Sequence, residues 1–170
     1  MMDTAPLRAA YLALLEAAAT VADAGDTTPT PPAGEWNADQ ILAHVAMVNA
    51  ATIAAVSAVS GGAHTTYDNR ISQDTWTIQH VITLAGGNAG LRDRIRVQCD
   101  ALCALSGPTL SEAELDTPVP ARLLSNDTLL LDQPVPLRDL ITGLADAELP
   151  GHTAQLLALL SDDAMAEATT

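Results

Sequence analysis

The stretch 36–57, "WNADQILAHVAMVNAATIAAVS", decides how this chain is read. Asn37 suits a helix N-cap, Gln40 follows at the spacing of a capping-box partner, and Trp36 can staple onto Ile41. A helix over about 38–57 is expected, stopped by Ser60-Gly61-Gly62. Its inward stripe runs Ile41, His44 or Val45, Val48, Thr52 and Ala55 at helical spacing. His44 lies one turn from Ile41 and one from Val48, which puts an imidazole on the face that should be buried.

A second stretch, "DAELPGHTAQLLALL" at 146–160, repeats the anomaly. Counting back from Leu159 along the apolar stripe gives Gln155, His152 and Glu148, then Leu144, Ile141 and Leu137. Glu148 and His152 are at i and i+4, so a helix projects both to one side. A buried carboxylate costs several kcal/mol unless it is paired or meets a cation. One metal ion answers for Glu148 and His152 together, with His44 as the third ligand. Two imidazoles and a carboxylate suit zinc, and less exclusively nickel or ferrous iron; three protein ligands leave room for water or substrate, the catalytic pattern. The plainer alternative is a hydrogen-bonded core histidine beside a Glu148 at the solvent margin. Pro150 and Gly151 intervene between the proposed ligands. A proline inside a helix costs about 3 kcal/mol, so either the helix kinks at Asp146 or a new one begins at Pro150. The second case swings Glu148 off the His152 face and leaves a degenerate, metal-free site.

Composition bounds the rest. A chain of 170 residues with 48% hydrophobic residues supports one domain, 1–170, with a real core. Aromatics are 2% and Phe is absent, so Leu, Ile, Val and Ala must fill that core. Seven Arg and no Lys face 21 acids, a net charge of −14, which repels phosphate backbones and argues against nucleic acid. The start "MMDTAPLRAA" has no secretory pattern, and no membrane span is expected. Cys99 and Cys103 lie on one helical face at a spacing poor for a disulfide, as in a reduced, cytoplasmic protein.

Three more helices are expected, over 4–23, 73–105 (eased at Gly86-Gly87) and 136–160, with Pro136 in the first turn and Asp139 suiting the helix dipole. A loop joins the first two helices over 23–36. "ARLL" and "TLLL" flank Ser125-Asn126-Asp127 as a short hairpin, and the tail after Leu160 should fray. The fold class is therefore all-α: a four-helix bundle with a short β-hairpin insertion before the last helix. His80 follows Trp76 by one turn and is a candidate lining of the same cavity; His64, near Tyr67, Asp68 and Arg70, is a candidate substrate contact. For both, packing or solvation is the plainer reading, and Cys99 and Cys103 read as core residues. Arg92, Arg94 and Arg96 spread round their helix and form no patch.

The segment "TPPAGEWNADQILAHVAMVNA" resembles the second-helix signature of the DinB-like superfamily, especially its mycothiol-dependent maleylpyruvate isomerase branch. "ELPGHTAQLLAL" is similar to the last-helix motif of that family. The resemblance implies a DinB-type bundle with metal ligands at His44, Glu148 and His152. It also implies that Gln155 orients a ligand or carbonyl from behind the metal ligands. It further implies a divalent metal, zinc first, and a low-molecular-weight thiol such as mycothiol attacking a small-molecule electrophile in a transferase or isomerase reaction. Two alternatives stay open: a hydrolase on the same site, and a non-catalytic acidic binding or homodimerising module whose site is degenerate.

Overall fold

The computed structural model describes residues 1–25 and 34–167. Most of the loop expected over 23–36 lies outside the described residues. The chain is mostly helical with one small three-stranded sheet.

Helix α1 (Ala5–Asp23) buries Leu7, Tyr11, Leu14, Ala18 and Val21, the stripe its periodicity demands. Helix α2 (Ala38–Ser60) begins at the expected capping box: Asn37 Oδ1 accepts from Gln40 N–H and Gln40 Oε1 from Asn37 N–H, both at 2.9 Å. It runs on to Ser60, beyond the expected end. It is buried on most sides, packing on α4 (Asn88–Ala104), α3 (Thr75–Ala85) and the last helix, as an almost wholly apolar helix must. The absence of any membrane-length apolar segment does not hold. By length and composition α1 and α2 are both long and apolar enough to cross a bilayer, though α2 buries 61% of its most apolar window inside the protein. The cause is a run over 40–67 without a single acid or Arg.

The single helix expected over 73–105 is two. Gly86 (φ 78°, ψ 30°) closes α3 with a left-handed cap, and Gly87 (φ 86°, ψ −159°) takes a conformation that is essentially glycine's alone. The pair breaks the helix instead of easing it. Beyond α4 and a π-helical turn at Leu105–Thr109 comes a short helix, α5 (Glu112–Leu115), opened by a Ser111–Glu114 capping box.

The hairpin is longer than expected and has company. Strands β2 (Pro118–Ser125) and β3 (Thr128–Pro136) pair antiparallel around a two-residue turn, with Asn126 (φ 48°) and Asp127 (φ 60°) both left-handed. Strand β1 (Tyr67–Asp68) adds in parallel, Tyr67 opposite Ala121, so the order is β1-β2-β3 and the all-α expectation holds only in its coarse form. Asn69 clamps this edge: its Nδ2 donates to the Leu124 carbonyl at 2.9 Å and its Oδ1 accepts from Leu124 N–H at 2.8 Å.

Pro136 caps the last helical run instead of starting it. α6 (Leu137–Gly143), a π-helical turn (Leu144–Glu148) and α7 (Leu149–Glu167) follow without a break, past the expected end near Leu160. The run packs on α1 and α2 through Leu137, Ile141, Leu144, Leu149, Leu156 and Leu159.

A hydrogen-bond chain inside this core joins three helices. Tyr11 Oη donates to Asn49 Oδ1 at 2.7 Å, and Asn49 Nδ2 donates to Gln98 Oε1 at 3.2 Å. Tyr11→Phe strands a fully buried acceptor and should lower unfolding free energy by about 1–3 kcal/mol in urea titration. Gly90→Ala should cost at least as much, about 1–3 kcal/mol, because the new methyl runs into the Ala85 backbone carbonyl. Gly143→Ala should instead be neutral or stabilising by up to about 1 kcal/mol, since Gly143 is helical (φ −60°, ψ −33°) and a methyl there meets open space.

Candidate metal centre

The site is assembled by α2 and the α6–α7 run. Position 44 faces inward because the α2 stripe is in phase with its cap, and His44 is 4% exposed. Pro150 should have spoiled the other half. Instead, Leu149 N–H donates to the carbonyl of Leu144, five residues back, which opens a wide turn immediately before the proline. A proline lacks the N–H for the usual bond and presses its ring on the carbonyl four residues back; the widened turn relieves both. The backbone stays helical through Leu149 (φ −64°, ψ −44°), so neither a break at Pro150 nor a swung-out Glu148 occurs.

The three proposed ligands meet. His44 Nε2 lies 2.9 Å from Glu148 Oε1, and His152 Nε2 lies 3.2 Å from the same oxygen. The two imidazoles stand edge to face, centroids 4.7 Å apart, and one ligand atom from each of the three residues falls within 4.8 Å of the others. Glu148 is half-buried.

The far sides of both rings decide the chemistry. His44 Nδ1 is 2.7 Å from the carbonyl oxygen of Ser72, in the 3₁₀ turn Arg70–Gln73. A carbonyl only accepts, so Nδ1 carries the hydrogen, and a neutral His44 presents its Nε2 lone pair to the Glu148 carboxylate. His152 is arranged alike, with Nδ1 2.7 Å from Gln155 Oε1. Two lone pairs aimed at one carboxylate oxygen repel unless protons or a metal cation stand between them. Outward donation from one ring nitrogen, with the other left free, is how metal-binding histidines are oriented. Burial pushes the Glu148 carboxyl up, but hydrogen bonds with His152 and His44, made only where each Nε2 carries a proton in place of its lone pair, outweigh it and hold the group well below the usual carboxylate range. The site thus keeps an anion only while positive charge is beside it.

Gln155 is not on the buried stripe. The inward positions of α7 are Leu149, Leu156 and Leu159, while Gln155 is exposed and reaches His152 from outside. Sequence reasoning missed Ser72, whose contribution is a main-chain oxygen that no residue type announces. It assigned Trp36 only to a staple; the indole also sits 4.8 Å from the His44 ring and covers it. Tyr67, named only as a neighbour of His64, is a buried strand residue in the wall of the cleft beside the three residues.

Other candidates fall away from this centre. His80 is exposed and stacks on the exposed Trp76 (5.1 Å between centroids), so it does not line the cleft. His64 borders a separate hollow with Val59 and Pro118. Cys99 and Cys103 are buried and unpaired, and burial pushes the Cys99 thiol up to about 12, far from a reactive thiolate. No protein-family model, curated protein or solved structure matches this chain.

His44→Ala should abolish zinc binding in calorimetric titration of untagged protein. Gln155→Ala should weaken it by about 10-fold or more while leaving the unliganded fold intact by circular dichroism, as loss of an outer hydrogen-bond partner does.

Proposed function

We propose that His44, Glu148 and His152 hold one divalent cation, zinc in preference to nickel or ferrous iron, in a thiol-dependent transferase or isomerase. Its substrates would be a small electrophile and a low-molecular-weight thiol such as mycothiol. One observation carries the reading: the Ser72 carbonyl fixes the His44 tautomer, so the Nε2 lone pair of His44 converges with that of His152 on the Glu148 carboxylate. Such a donor set fits a borderline-soft divalent ion. Three protein ligands suit a reactive site, because structural zinc sites usually close with four.

A cation bound there lowers the pKa of a thiol enough to deprotonate it at neutral pH. The chain supplies the remainder. Ser72 and Gln155 orient the two imidazoles. Trp36 and Ile41 keep water from the buried side of His44, and the cleft holds the electrophile at that end. The thiol proton leaves to solvent and the sulfur forms a bond to an electrophilic carbon. The bond broken is either that carbon's bond to a leaving group such as chloride, which departs with the electron pair, or the π bond of an activated alkene, whose pair moves to the neighbouring carbon. Displacement, or protonation of that neighbouring carbon by solvent, gives transfer; rotation about the new single bond and expulsion of the thiolate restores the alkene and gives isomerisation.

The order of elements supports a DinB-like arrangement. The two ligand motifs stand on the second long helix and the last helical run, with the hairpin directly before the latter. Buried, unpaired Cys99 and Cys103 suit a reducing cytoplasm.

Mass spectrometry of protein purified without a His tag should find about one zinc or nickel per chain, lost in His152→Ala; metal absent from both, even after zinc is supplied, would sink the proposal. Zinc-loaded protein should consume a model electrophile such as 1-chloro-2,4-dinitrobenzene or a maleamide only when a thiol is present. Equal turnover of an ester without thiol would move the reading to hydrolysis.

A further inference from the structure

The cleft beside the three ligands measures about 990 Å³, at the upper end for small-molecule sites. Its apolar wall is drawn from four elements and includes Trp36, Val48, Leu130, Leu140 and Leu159. The charged side chains that line it are all acidic: Glu35, Asp127, Asp139 and Glu148. Among the described residues no Arg lines it, and the chain has no Lys. Of the Arg residues, Arg122 is engaged by Asp132, Arg70 by Asp68, and Arg138 by Glu112 and Asp116.

An organic anion entering such a cleft loses water and finds no guanidinium or ammonium in exchange. It also approaches carboxylates at the mouth, so like charges work against it twice. An apolar body gains from the leucine and tryptophan walls. A neutral polar contact is available inside. Tyr67 is 7% exposed, and Thr52 Oγ1 already donates to the Val48 carbonyl at 2.9 Å, which leaves the Tyr67 hydroxyl only a long 3.4 Å contact with Thr52. That hydroxyl is a donor suited to a carbonyl or amide oxygen.

We infer that the cleft takes an uncharged, predominantly apolar ligand with a neutral carbonyl-type end, and that it discriminates against carboxylates and phosphates. The inference rests on the proposed metal centre only in taking the His44–His152 end as the reacting end; the charge and wall chemistry stand without it.

Octanamide and octanoate, equal in length and different in charge, provide the test. Zinc stoichiometry of the full chain is measured first. Each compound is then titrated calorimetrically into zinc-loaded and metal-free protein at neutral pH. Octanamide should bind the metal-free protein about tenfold or more tightly than octanoate, and zinc, which attracts a carboxylate, should narrow the ratio. Asp127→Lys with Asp139→Lys, exposed positions that hold no ligand, should narrow that ratio. Tyr67→Phe should weaken octanamide severalfold and leave zinc binding unchanged. Octanoate binding metal-free protein as tightly as octanamide, or neither compound binding it, overturns the inference, even where zinc binds at one per chain. Octanamide preferred by metal-free protein that takes up no zinc upholds the inference and removes the metal reading instead.

Discussion

The hydrogen bond from His44 Nδ1–H to the Ser72 carbonyl is the constraint on which the centre depends. It costs the protein a buried imidazole, 5% exposed in its side chain, and in return fixes which nitrogen of that ring faces Glu148. Once Nδ1 holds the hydrogen, the Nε2 lone pair has no protein donor to meet, and neither has that of His152. A carboxylate is a poor partner for an imidazole lone pair and a good companion for an imidazole that shares a cation with it. The same bond ties the 3₁₀ turn to α2, and that turn follows β1 directly. The sheet edge and the His44 end of the cleft are therefore tied together.

The second half of the centre depends on a backbone device. Pro150 lies between Glu148 and His152, where a regular α-helix tolerates proline poorly. The π-helical turn at Leu144–Glu148 ends at the first of these two residues, so the register from Glu148 to His152 is ordinary i, i+4 geometry. π-Bulges inside helices recur at functional sites because they hold a wider turn at the expense of regular hydrogen bonds. Here the extra residue does something specific: it lets a proline and two ligands share one turn. Gly151, whose missing side chain leaves open space, keeps the mouth of the cleft clear at the same point.

What the sequence made legible follows from locality. The α2 capping box, the stripe of α1 and the i, i+4 pair are set within a few residues, and each stands where short-range geometry puts it. The juxtaposition of His44 with Glu148 was suggested by an unexplained imidazole on a buried stripe and by family resemblance, because spacing cannot tell which helix faces pack. Gly86-Gly87 was underestimated: two adjacent glycines, both with positive φ, end a helix where one would only weaken it. The long strands β2 and β3 were hidden by their prolines, Pro118, Pro120, Pro134 and Pro136, which discourage a strand reading except on short or exposed pieces. Strand β1 has two residues, too few for any periodicity, and the Ser72 carbonyl has no signature at all.

The acidity of the chain and the chemistry of its centre belong to one argument. With seven Arg against 21 acids, basic side chains are scarce, and Arg122 and Arg138 are already held by other carboxylates. Glu148 therefore has no Arg to neutralise it, only two histidines whose outer nitrogens are engaged. A protein so poor in lysine and arginine cannot bring a buried carboxylate and an anionic ligand into one cleft without an outside source of positive charge. In the proposed reading a divalent ion would answer the first need, since it would offset Glu148 from within. Its remaining charge would be opposed by Glu35, Asp127 and Asp139 around the lining. Charge at the proposed reacting end would thus strengthen thiol ionisation locally while the acidic lining disfavours anions elsewhere in the cleft, a division of labour that suits an uncharged electrophile better than a carboxylate.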